Sequence, residues 1–129
     1  MRFRTWVSAV LTIGILVSLS VSAVAHHSIA TFWNTEGEIE VTGTLVAARI
    51  MNPHSQLVWN DENGERWVGT SASLQGMREA GYAANDTIAP GTGVTISGNP
   101  PHANGMKGVL IYQVTTEDGR IFDIRNPGQ

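Results

Sequence analysis

Four histidines, His26, His27, His54 and His102, are the side chains of this chain best suited to chemistry. Two of them directly follow Ala23-Val24-Ala25, a small-x-small peptidase site at the end of an apolar run. A cut after Ala25 makes His26 the first residue of the mature protein. Its free amine and its imidazole then chelate one metal ion, and His27 or His54 can add a third nitrogen. A planar or T-shaped nitrogen set suits Cu(II), which also outranks the other divalent ions in affinity. A cut after Ala23 instead leaves Val24-Ala25-His26, whose amine, two deprotonated amides and imidazole form a square-planar Cu(II) or Ni(II) chelate. The expectation is a metal site of His26, His27 and His54, with copper the favoured ion. The plainer alternative gives His26 and His27 to a polar, peptidase-friendly start, and gives His54 to a hydrogen bond that shapes a strand end. His102 lies in a Gly/Pro-rich loop and is expected to be solvated.

Other chemistries find little in the sequence. There are no cysteines, so thiolate metal sites, iron–sulfur clusters and cysteine nucleophiles are excluded, and packing alone must hold an exported domain. No HExxH pair occurs, no serine sits in a nucleophile elbow, and the glycines of Gly91-Thr92-Gly93 precede a strand pattern rather than a helix. Glu36, Glu38 and Glu40 alternate along one strand face and read as a solvated edge. Asp61, Glu62 and Asp118 read as turn residues. A non-catalytic protein is expected. After loss of Arg2 and Arg4 the chain carries six basic residues against eleven acidic ones, with no basic cluster, which argues against a nucleic-acid partner.

The elements that would position these residues begin with Arg2 and Arg4, followed by an uncharged run from Trp6 to Ala25. This is the layout of a secretory signal. Ser8, Thr12, Ser18, Ser20 and Ser22 dilute it as a membrane anchor, so cleavage and a periplasmic or secreted product are expected, with no membrane association afterwards. The expected organisation is a signal peptide at 1–25, an N-terminal arm at 26–37, one β domain at 38–124 and a polar tail at 125–129.

Within the domain, Ile39, Val41, Gly43, Leu45 and Ala47 alternate with polar residues, the period of a half-buried strand, until Asn52-Pro53 stops it. A strand over Gln56 to Asn60, the turn Asp61-Glu62-Asn63-Gly64 and a return strand over Glu65 to Thr70 form a hairpin. Ser71 to Ala83 is the helix candidate, capped by Ser73 and ended by Gly81. Strands around Val94–Ser97, Val109–Thr115 and Ile121–Ile124 follow, the first two separated by the Asn99–Gly108 loop. A bent first strand, a hairpin, one short helix and then two or three strands predict a mainly β fold. The expected form is a five- to six-stranded OB-like Greek-key barrel with its helix after the third strand. In a core of this size Trp59 and Trp67 are expected to pack inward.

Several pieces taken together carry a resemblance: Ala25-His26-His27-Ser28, Thr42-Gly43-Thr44-Leu45, Asn52-Pro53-His54, Pro90-Gly91 to Gly98, and Val114-Thr115 through Asp118-Gly119-Arg120. The mature chain resembles the small exported bacterial proteins of domain of unknown function 6152. The resemblance implies an exported barrel-like domain and implies no established activity. Ser55 and Gln56 stand where that family often has an apolar residue and Trp after Asn-Pro-His. The expected function is metal binding by an exported, non-catalytic barrel. The alternative is a metal-independent module that binds a small ligand or a protein partner through the barrel face and loops. A metal-dependent oxidase or hydrolase is the weakest of the three, since the sequence offers no general base.

Overall fold

The alternation in the first strand does become a half-buried strand, but one that feeds two sides of a closed sheet. The computed structural model describes residues 29–82 and 88–125. The chain divides into two compact units, Met1–Phe32 and Trp33–Gln129. Of the first, residues 29–32 are described, as a helical turn.

The second unit is built from β1 (Ile39–Arg49), β2 (Gln56–Asp61), β3 (Arg66–Thr70), α1 (Leu74–Glu79), β4 (Gly93–Asn99), β5 (Gly108–Thr116) and β6 (Ile121–Asp123). β1 pairs with β4 through its first half and with β2 through its second. The order β3-β2-β1-β4-β5-β6 is closed by parallel pairing of β3 with β5, so five strands form a barrel and β6 adds to the outside of β5. A parallel pair requires a crossover connection, here α1 and β4. The fold is the expected mainly β, OB-like barrel.

Two local features let β1 bend. At Gly43 a Cβ would collide with the backbone carbonyl of Asn60, so only glycine allows the approach of β2. After Leu45 the register shifts, pairing Leu45 with Trp59 but Ala47 with Val58. This bulge turns Ala47 outward and Ala48 toward the core, breaking the simple alternation read from sequence. A second bulge, opposite Ser97 and Gly98, does the same in β5. Val109 and Ile111 are buried before it, and Val114 and Thr116 after it. The inward face of β5 thus changes phase at Tyr112.

The core is centred on Leu45, Leu57, Trp59, Ile96, Val109 and Val114, each essentially inaccessible to water. Each such aliphatic side chain contributes about 1.5–3 kcal/mol by burial. Trp59 Nε1 and the Tyr82 hydroxyl are buried polar atoms without a hydrogen-bond partner among the described residues. Burial pushes the Tyr82 phenol up to about 12.

α1 is shorter than the predicted Ser71–Ala83 for reasons visible at both ends. Ser71 N donates to Ser55 O and Ser55 N to Ala72 O, so residues 71 and 72 extend the ladder instead of starting a helix. Ser73 is the N-cap and accepts from Gly76 N at 3.3 Å. At the C-terminus Tyr82 N donates to Met77 O and Gly81 N to Arg78 O, with Gly81 at φ 85°. That is a Schellman stop, which requires a residue tolerant of positive φ. The helix buries Met77 completely at one end of the barrel.

Candidate functional site: a cleft at the open end of the barrel

α1 stands at one end of the barrel and the cleft lies at the other. There the start of β1, the start of β3 and the loop joining β4 to β5 surround a cavity of about 260 Å³. Ile39 and Trp67 come from the strands, and Pro100, Pro101, Met106 and Lys107 from the loop. The loop's entry is fixed by the preceding segment: Trp33 bridges to Pro101, Asn34 N donates to Pro100 O at 2.8 Å, and Asn99 Nδ2 donates to Gly37 O at 2.7 Å.

Trp67 is the best-determined group of the site. Its ring stacks on Trp59 inside the barrel, with centroids 6.2 Å apart and planes 21° from parallel. Its Nε1–H donates to Asp61 Oδ2 at 3.0 Å, while Asp61 Oδ1 accepts from Asn63 N and Glu65 N, both at 2.9 Å. The indole N–H, then the backbone N–H groups of Glu65 and Asn63, hold the Asp61 carboxyl below its ordinary value. Lys107 Nζ lies 5.0 Å from the Trp67 ring centroid and pairs with Glu65 Oε2 at 2.6 Å. That bond raises the lysine above its ordinary value. The result is an indole fixed at its N–H edge, stacked on one face and approached by a cation, beside an opening walled by proline and methionine.

The histidines fall elsewhere. His26 and His27 lie outside the described residues. His54 is exposed on the turn between β1 and β2, after the cis Asn52–Pro53 bond. That turn is tied down from both sides: Ser55 Oγ accepts from Met51 N at 3.2 Å, and Asn52 Oδ1 accepts from Leu74 N at 3.2 Å. His102 is exposed on the β4–β5 loop but is not among the residues lining the cleft. His54 and His102 therefore stand at opposite ends of the barrel. Among the described residues no three His, Asp or Glu side chains converge as a metal site.

Asp61 and Lys107 are the site residues that sequence reasoning missed. Asp61 reads as an ordinary turn residue, and nothing in its spacing shows that the hairpin returns Trp67 to it. The loop itself was marked by its prolines and glycines.

The barrel and its cleft define the class: a small, mainly β, OB-like domain with one capped end and one open, Trp-floored end. A family profile matches residues 12–110, and the chain belongs to this family of unknown function, DUF6152. No curated protein matches the chain.

Proposed function

We propose that this is an exported, non-catalytic binding module that holds a small apolar group against Trp67 in the cleft. One observation carries the reading: a tryptophan immobilised by Asp61, Trp59 and Lys107 lies at the floor of an apolar opening. The volume limits the ligand. At about 260 Å³ the cleft is below the usual range for a drug-sized ligand or cofactor, and it fits one ring or a short chain. Lys107 at the rim favours a ligand that also carries an anionic group. Nucleic acid is a poorer fit. OB barrels that bind single strands stack bases on aromatic side chains of the β2–β3 surface. Here that outer surface carries Gln56, Val58, Asn60, Arg66, Val68 and Thr70, and both tryptophans point inward.

Benzenesulfonate, one apolar ring with one anionic group, is a suitable probe. Saturable one-to-one binding, lost in Ala103→Trp, which fills the cleft from its exposed wall, is the expected result. Binding unaffected by that substitution, or none at all, contradicts the reading.

The exposure of His54 supports a second reading, in which copper is held by His26 and His27 at the processed terminus with His54 as a further ligand. Tight Cu(II) binding by the processed protein, lost on replacing His26 and His54 by Ala, is its expected outcome. Unchanged Cu(II) affinity in that variant rejects it.

A further inference from the structure

Two outer faces of the barrel differ in charge, and we infer that they dock onto each other between copies of this chain. The first face spans the second half of β1, β2 and β3. Its cross-strand rows place Arg49 beside Gln56, Val58 beside Val68, and Asn60 beside Arg66. Arg49 and Arg66 are exposed, and Val68 is 42% exposed between them. No carboxylate occupies an outward position of these rows between Arg49 and Arg66.

The second face spans the first half of β1, then β4, β5 and β6. Glu40, Ser97, Gln113 and Asp123 form one continuous row across it. Ser97 Oγ donates to Glu40 Oε2 at 3.3 Å, and the Tyr112 hydroxyl donates to Glu38 Oε1 at 3.1 Å, so these carboxylates are held in place. Arg125 is the cation beside them, 3.6 Å from Asp123 and 4.6 Å from the Tyr112 ring centroid. Even counting it, the carboxylates of Glu38, Glu40 and Asp123 leave this face negative. Ile121, 62% exposed, gives it an apolar contact to meet Val68.

Contacts join the acidic groups into one patch: Glu38 to Tyr112, the Tyr112 ring to Arg125, and Arg125 to Asp123. Opposite charge steers the approach, and the valine–isoleucine contact adds short-range burial. The chain is acidic overall, so its Arg/Val face is where a second copy's acidic row meets attraction instead of repulsion.

The contact joins two different patches, so each copy keeps one free patch of each kind and growth continues past the dimer. Sedimentation velocity of the purified protein up to about 1 mM, a range that detects millimolar affinities, reads this directly. The expected result is a sedimentation coefficient that climbs with concentration without a plateau and falls back when salt is raised from about 20 mM to about 0.3 M. Arg49→Glu/Arg66→Glu and Glu40→Arg/Asp123→Arg each weaken association about tenfold or more, and an equimolar mixture of the two variants restores open-ended association, because each variant then offers both of its faces to the other. Arg49→Gln/Arg66→Gln, which removes charge without reversing it, keeps the test valid if a reversal variant misfolds. A wild-type protein that stays monomeric at low salt overturns the inference, and so does association that the variants leave unchanged. In the first case the Arg/Val face is left to an acidic partner of another sequence.

Discussion

The two ends of the barrel are built from the same strands but finished differently. At one end α1 inserts Met77, and Ser71, Ser55 and Asn52 bind the neighbouring turns to it through hydrogen bonds. At the other end the β4–β5 loop stands around Trp67. The first end ties its turns together and leaves little room. The second fixes one aromatic ring and leaves space beside it. An end organised around packing and an end that leaves a cleft beside one held indole should respond differently to mutation, and that difference separates a structural region from a binding one.

The largest effect is expected at the packed end. Met77→Ala removes a fully buried side chain and leaves a cavity, which should destabilise the protein by about 2–4 kcal/mol in denaturant unfolding without altering probe binding at the cleft. A loss of binding equal to the loss of stability would show that the two ends are not separable.

Tyr82 gives a pH-dependent effect. Its phenol titrates near 10 when unfolded and near 12 when folded, so the folded state keeps its proton where the unfolded state has lost it. The sign follows: stability from this group is fully present below pH 10 and falls by roughly 2–3 kcal/mol as pH rises to 12. Tyr82→Phe should abolish that alkaline limb. Because the hydroxyl has no partner among the described residues, the same variant should be no less stable at neutral pH. An unchanged alkaline limb in Tyr82→Phe would assign the limb to another group.

The smallest stability effect is expected at the open end. Glu65→Ala removes an exposed partner of Lys107, so thermal unfolding should barely move. The freed ammonium should, however, bind the anionic probe more tightly. Weaker probe binding in Glu65→Ala would place the anion elsewhere.

Much of the architecture was legible in the sequence. The period-two runs, the Asp61–Gly64 turn and the Ser73 cap located the strands, the hairpin and the helix, since each depends on near neighbours. The bulges after Leu45 and at Tyr112 were not legible, because each is set by the strand opposite. The short helix was missed for a similar reason: Ser71 looks helical until Ser55 pairs with it across the turn. At the candidate site, the Pro- and Gly-rich loop was visible and Trp67 was assigned correctly to packing. Its tie to Asp61, and the opening beside it, depend on how β3, β4 and β5 meet at one end of the barrel. The histidines gave the strongest chemical signal in the sequence, but only His54 and His102 fall among the described residues, and they stand apart.

The central claim is that the open end binds through Trp67. The most direct test is a two-dimensional NMR titration with benzenesulfonate that follows the indole N–H resonances of Trp67 and Trp59 and the methyl of Met106. The account predicts saturable shifts at Trp67 and Met106, a smaller response at the buried Trp59, and none at His54. Shifts centred on the β1–β2 turn, or no saturable shift at Trp67, would contradict it.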